Sequence, residues 1–391
     1  MSRQVHAVAA SRVFDGTSVH EDSAVLIDGG EIAAIVPYGQ IPKSMSVREL
    51  SGETWLAPGF IDIQVNGGGD LLFTDEPTPD TIRTMVAAHR KFGTTRLLPT
   101  LISDSFEKMA AAIAAVDEVA GSEPGVLGIH LEGPFLSPEK AGVHNREMLR
   151  RPSEKDLAML AVRRNGVTLV TLAPEMVPEQ FIIRLATAGV RISLGHSMAT
   201  YAQTNSAIEA GVTGFTHLFN AMRPLDSREP GPIAAALESP QAYYGLIVDG
   251  VHVAPAMLRL ALRGAGHPIL ITDAMPPVGG TRKRFALQGK TILVNEGRCT
   301  DPDGTLAGAC LDMASAVRNC VRLTNVTLPD ALRFASTNAA EFLGYDHVLG
   351  RLAPGFQADM VAFDGVTIDV LATWVAGTYE TSKKLVLKTS R

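Results

Sequence analysis

The chain has 391 residues, 46% of them hydrophobic and 19% charged, enough to bury one large core and a smaller companion. A formal charge of -6, with basic clusters no longer than Arg150-Arg151, Arg163-Arg164 and Arg282-Lys283-Arg284, argues against nucleic acid or an anionic membrane as partner. Cys299, Cys310 and Cys320 suggest neither a disulfide framework nor a paired metal spacing, and the N-terminal MSRQVHAVAASRVFDG lacks the apolar core of a signal peptide. With no apolar run of bilayer length, the expected setting is soluble and cytoplasmic.

The first fifty-odd residues predict short strands broken by turns: VHAVAASRVF, SAVLIDG, EIAAIVP and TWLAPG, punctuated by Asp15-Gly16 and Gly29-Gly30. From Pro58 the pattern changes to short apolar runs alternating with segments of helical period. The runs 60–65, 95–102, 126–131, 167–172, 191–194, 214–218, 245–248 and 268–271 predict eight strands. Helical segments are expected at 79–92, 105–120, 154–165, 179–188, 201–210 and 254–264. Eight such units over roughly 230 residues are what a (β/α)8 TIM barrel requires, with an open doubly wound sheet as the alternative. Beyond the eighth strand, turns at Gln288-Gly289 and Asp303-Gly304 predict a β-hairpin insertion near 282–306, followed by helices at 312–323 and 329–343. Strands at 358–363 and 370–375 are expected to rejoin the N-terminal β unit, since a lone pair is unstable. The domain expectation is therefore 1–56 plus 355–391 for a small β-sandwich built from both termini, and 57–354 for the barrel.

The polar residues that interrupt these apolar runs fall at their carboxyl ends. Gln64 and Asn66 end the first strand, Glu132 the third, His196 the fifth and His217 the sixth; His252 follows the seventh and Asp273 closes the eighth. In a barrel these ends converge on one mouth, where such folds carry their chemistry. A carboxylate at the end of a buried strand is costly unless a cation or hydrogen bonds compensate, and Glu132, His196 and His217 together make a ligand set for one divalent, zinc-like ion. Taken singly, each has a plainer reading as a cap or a satisfied core residue. Asp273 is placed to act as general base and then general acid. Gln64 and Asn66 stand where a two-metal site would have histidines, and neutral amides are weak ligands, so one catalytic ion is expected. No lysine ends any of the eight strands, which argues against a carboxylated bridging lysine and a Schiff-base enzyme.

The runs PGFIDIQVNGGG, HLEGPFLSPEKAGVHN, LGHSMA, THLFNAM, REPG, DGVH, TDAM and DGTLAG resemble the N-acetylglucosamine-6-phosphate deacetylases of the amidohydrolase superfamily, in order and over nearly the whole chain. GRLAPGFQADMVAFD is similar to that superfamily's closing β segment. The resemblance implies a barrel flanked by a β-sandwich, and hydrolysis of N-acetylglucosamine 6-phosphate to glucosamine 6-phosphate and acetate. It implies that Glu132, His196 and His217 hold one divalent metal, most simply zinc, with other transition metals possible. Asp273 would be the catalytic acid/base, and His144, next to Val143, the contact to the acetamido group. Asn220, Ala221, Arg228 and His252, with Asp249 close by, resemble the sugar-phosphate contacts, and Leu306, Ala307 and Gly308 line the same pocket. It further implies a homodimer in which Arg228 reaches the neighbouring subunit's phosphate. Two alternatives remain open at this point, an amidohydrolase acting on another acylated amino sugar or a cyclic amide, and a non-catalytic sugar-phosphate sensor.

Overall fold

The computed structural model describes residues 5–381; the ends of the expected terminal segments, 1–4 and 382–391, lie outside the described residues. The chain forms two compact units. One takes in the chain up to Asp62, His89–Arg96 and the chain from Met313; the other holds Ile63–Ala88 and Leu97–Asp312.

In the first unit, alternating apolar residues build an eight-stranded sheet from both ends of the sequence. In spatial order its strands are Thr378–Thr381, Val370–Val375, Met360–Asp364, Thr54–Pro58, His6–Phe14, Val19–Asp28 and Glu31–Pro37, with Ser46–Glu49 also paired to His6–Phe14. The late strand Met360–Asp364 joins the early strand Thr54–Pro58 in antiparallel register, Ala362 opposite Leu56. Trp374, Met360, Leu56 and Val8 form its core, each at most 1% exposed. Helices Met313–Thr324, Leu328–Ala335 and Thr337–Leu343 belong to this unit. The sequence reads the last two as one helix. The chain breaks at Ser336, whose φ of -138 and ψ of -74 are not helical and whose hydroxyl donates back to the Leu332 carbonyl.

A second eight-stranded sheet is parallel throughout and runs in sequence order: Phe60–Val65, Thr94–Ile102, Gly128–Glu132, Val167–Leu172, Arg191–Leu194, Gly214–Phe215, Tyr243–Ile247 and His267–Ile271. The chain ends of the first and eighth strands meet. Asp273 N–H donates to the Gln64 carbonyl at 3.1 Å, and Asn66 N–H to the Ala274 carbonyl at 2.9 Å, which carries the sheet round into a TIM barrel. The eight expected strands are all present, the sixth shorter than its apolar run because Thr216 and His217 already leave the ladder. Helix Gly231–Glu238 was not legible: GPIAAALE is apolar on most faces and opens on glycine and proline. Gly128, which starts the strand leading to Glu132, has φ +149, and a Cβ there would lie 1.9 Å from the Val167 carbonyl oxygen, so no other residue fits.

The insertion after the eighth strand is a four-stranded antiparallel sheet, Arg284–Leu287, Lys290–Asn295, Arg298–Thr300 and Leu306–Ala309. Phe285, Leu287, Ile292 and Cys299 pack with Leu72, Ile102 and Met275 in one buried cluster, which docks the insertion on the barrel mouth.

Candidate active site

The site is built from residues that step off their strands into the left-handed region. His196 has φ +49, His217 φ +32 and Asp273 φ +51, and Phe219 and Ala221 follow at +80 and +49. Each such non-glycine residue costs on the order of 1 kcal/mol or more, and concentrated strain of this kind marks a place where side-chain direction matters more than local comfort. The loops that carry His196 and His217 are zipped together there: Ser197 N–H donates to the Ala221 carbonyl at 3.1 Å, and Arg223 N–H to the Ser197 carbonyl at 2.8 Å. Glu175 braces the same turn, taking the Ser197 hydroxyl at 2.7 Å and the Met198 N–H at 2.6 Å.

Glu132, His196 and His217 converge. His217 Nε2 lies 2.9 Å and His196 Nε2 3.2 Å from Glu132 Oε1, and the two ring nitrogens are 3.1 Å apart. All three residues are at most 5% exposed. Tetrahedral coordination at about 2.0–2.1 Å places neighbouring donors roughly 3.3 Å apart, close to the spacing seen here, so the donor set fits a zinc-like ion. His196 supports this. Its Nδ1 is 2.7 Å from the Lys140 carbonyl, to which it can only donate, and this bond orients the ring so that Nε2 faces the centre. Burial acts to raise the Glu132 carboxyl, but its bonds to His196 and then His217 outweigh that and hold it well below the usual range. Among the described residues this is the one cluster of three metal-binding side chains.

Beneath the triad the interior is polar and paired. His130 Nε2 is 2.7 Å from Thr171 Oγ1, which meets Thr216 Oγ1 at 2.7 Å, which in turn donates to Ser193 Oγ at 2.7 Å. Burial, above all, holds His130 down to about 4, so the ring is neutral and the chain of bonds fixes the floor without adding charge.

Gln64 and Asn66 take a part that their spacing alone did not disclose. The Gln64 amide donates to both Glu132 oxygens and to Asp273 Oδ1, all at 3.2 Å, and the Asn66 amide donates to Asp273 Oδ1 at 2.7 Å. The neutral Gln64 amide thus sits between the carboxylates, and Asn66 adds a second donor to Asp273. Burial first, and then the Glu132 charge, push Asp273 up to about 6, against the pull of His217, His252 and the Asn66 bond.

His144 lies beside His196, with ring centroids 4.5 Å apart. Its Nδ1 faces the Ser103 backbone N–H at 3.2 Å and the Ser103 hydroxyl at 2.8 Å. A backbone N–H only donates, so Nδ1 is the acceptor and the neutral ring carries its proton on Nε2. Burial, followed by the nearness of His196, holds His144 down to about 3, which keeps it neutral. His252 is oriented by Asp249: Nδ1 stands 2.6 Å from Asp249 Oδ2, while Oδ1 accepts the Val251 and His252 N–H groups.

One cavity of about 520 Å³ joins these groups. Asn66, Glu132, Val143, His144, His196, His217, Asn220, Ala221, His252, Asp273, Leu306 and Gly308 line it. Four other expected residues do not. Gln64 and Asp249 stand behind the residues they hold. Ala307 is buried in the cluster under the insertion, because strand residues alternate and only Leu306 and Gly308 can face the cavity. Arg228 is exposed, on the loop before helix Gly231–Glu238. Lys140, Met275 and Thr305 also line the cavity and were not expected from the sequence.

A sequence model described as "Amidohydrolase family" matches residues 55–388. An N-acetylgalactosamine-6-phosphate deacetylase of Shewanella sp. (strain ANA-3) is 47% identical over 327 residues, covering 82% of each chain. An N-acetylglucosamine-6-phosphate deacetylase of Haemophilus influenzae is 34% identical over 373 residues, covering 94% of this chain and 97% of that protein. Among solved structures, the N-acetylglucosamine-6-phosphate deacetylase of Pasteurella multocida is 35% identical and superposes with a TM-score of 0.93 over 96% of this chain and 100% of its own.

Proposed function

Because the chain belongs to the amidohydrolase family, whose members hydrolyse bonds such as amides with a bound metal, we propose that it deacetylates N-acetylglucosamine 6-phosphate, releasing acetate and glucosamine 6-phosphate. The observation that carries this reading is the gathering of Glu132, His196 and His217 opposite a raised carboxyl, Asp273, and a neutral histidine, His144, in one cavity. Glu132, His196 and His217 would hold one divalent ion, and their carboxylate and imidazole donors suit zinc among other transition metals. Bound there, such an ion acidifies water and polarises a carbonyl.

The chain's own groups account for the proton movements. Gln64 and Asn66 both occupy Asp273 Oδ1, so Oδ2 is the atom that takes the proton from the attacking water. The carboxyl accepts that proton and then gives it to the departing amine nitrogen as the C–N bond breaks. His144 Nε2–H donates to the acetamido oxygen as negative charge develops on it. Asn220, the backbone at Ala221 and His252, held by Asp249, anchor the sugar phosphate at the far end, which fixes the acetyl group over the triad. Arg228, exposed in the single chain, completes the phosphate site of a second copy in a homodimer. A cytoplasmic setting accords with a phosphorylated substrate and three free cysteines. Among the described residues no helix is long and apolar enough to cross a membrane.

A second reading differs only at C4 of the sugar. The 47% identical relative is named for the galactosamine epimer, so N-acetylgalactosamine 6-phosphate is the rival substrate. Acetate release measured on both phosphorylated epimers and on unphosphorylated N-acetylglucosamine separates the readings. The proposal expects the glucosamine phosphate to have the highest kcat/KM; a clear preference for its epimer moves the assignment to the rival, and no release from either phosphate rejects both. In the same assay Arg228→Ala is expected to raise KM for the phosphorylated sugar by about tenfold or more while leaving the unphosphorylated one within about twofold. Equal effects on both would remove Arg228 from the phosphate site.

A further inference from the structure

We propose that Gln288, at the tip of the inserted hairpin, is a positioning residue that locks His144 in place, an inference that rests on the role given to His144 above. Leu287 pairs with Lys290, leaving a two-residue turn of Gln288 and Gly289 with φ +48 and +83. Such a turn asks for left-handed residues and ordinarily takes asparagine or aspartate before glycine, because a longer side chain gains nothing from the backbone there. Glutamine is the poorer local choice. Its added length is used instead to reach across to the barrel.

The Gln288 amide makes two short bonds to backbone groups on either side of His144. Its Nε2 donates to the Ser103 carbonyl at 2.6 Å, and its Oε1 accepts the Asn145 N–H at 2.6 Å. Ser103 is the residue whose N–H and hydroxyl hold His144 Nδ1, and Asn145 is the next residue along from His144. One side chain therefore ties the end of the second barrel strand to the loop after the third, with the imidazole between them. The insertion that supplies Thr305, Leu306 and Gly308 to the cavity thus also sets the ring that faces the acetyl group.

Docking of the insertion does not depend on this amide. Phe285, Leu287 and Ile292 are already buried against Leu72, Ile102 and Met275. That separates positioning from folding. Gln288→Asn keeps an amide and suits the turn better, but is one methylene too short to span Ser103 and Asn145.

The test compares the metal-loaded wild type, Gln288→Asn, His144→Ala and the double variant. It reads kcat and KM on N-acetylglucosamine 6-phosphate, Tm, and hydrogen exchange over the peptide 142–148. For Gln288→Asn the expected result is a kcat lower by about tenfold with KM within about twofold, the range for losing a group that orients a working residue. Tm should not fall, exchange over 142–148 should quicken, and in the His144→Ala background the substitution should cost nothing more. Unchanged kcat overturns the proposal. So does an equal loss in the His144→Ala background, which would place the action elsewhere, or a drop in Tm that tracks the activity, which would make Gln288 structural. If the wild type releases no acetate from the phosphorylated sugar, the substrate reading has failed. The exchange arm then decides alone, and unchanged exchange at 142–148 sinks the latch.

Discussion

Asp273→Asn is expected to lower kcat by about 10²–10⁴-fold, the usual contribution of a positioned general base and acid, while leaving one metal ion bound per chain. Asparagine is nearly the same size, and Asp273 lies outside the three-donor cluster formed by Glu132, His196 and His217, so the loss falls on proton transfer. Both amide donors that now hold Asp273 Oδ1 can still bond the asparagine oxygen, which favours an intact site. What disappears is an oxygen able to carry a proton from water to amine. Steady-state kinetics beside elemental analysis of the same preparation checks this, and a variant with full metal and undiminished kcat would take Asp273 out of the mechanism.

The second large effect is expected from Glu132→Gln. Glu132 supplies the only charged donor of the triad and is kept ionised by its two histidines despite complete burial. With the charge gone, two imidazole nitrogens 3.1 Å apart are left to share a site with a weak amide ligand. The variant should lose its metal on dialysis and, with it, at least about 10³-fold in kcat, because water without a bound ion is a far weaker acid and a poorer source of nucleophile near neutrality. Metal content and acetate release should fall together. Activity surviving in metal-free Glu132→Gln protein would show that the reaction does not run through this cluster.

Much of this architecture was legible because burial leaves a strong mark on a strand. Short apolar runs such as 126–131 and 268–271, repeated in alternation with helical segments, point to covered parallel strands, and a carboxylate or histidine at such an end then stands out. Carboxylate and histidine side chains at strand ends are legible for that reason. Neutral polar groups are not. Gln64 and Asn66 were noticed as substitutes for histidine, yet their work as donors to Glu132 and Asp273 depends on where two distant strand ends meet. Thr171, Thr216 and Ser193, which hold the floor under the triad, are ordinary strand residues in sequence. Ser103 and Gln288 carry no metal-binding or acid-base signal, since one lies at a strand end and holds His144 Nδ1 and the other lies in a turn and holds backbone.

Backbone direction explains the remaining differences. The run Leu306-Ala307-Gly308 reads in sequence as one pocket-lining block, but a strand turns alternate residues to opposite faces and sends Ala307 into the hydrophobic cluster. Helix Gly231–Glu238 escaped because a segment apolar on most faces shows no period. The strands Ser46–Glu49 and Thr378–Thr381 were missed too; they are short edge pieces with mostly exposed or half-buried residues, where no face has to be apolar.

The account turns on a single ion held by Glu132, His196 and His217. Its most direct test strips the wild-type protein with a chelator and titrates zinc back while following acetate release from N-acetylglucosamine 6-phosphate. The predicted curve starts at background, rises linearly and breaks at one equivalent per chain. Full turnover in the stripped protein, or a break only at two equivalents, would contradict it.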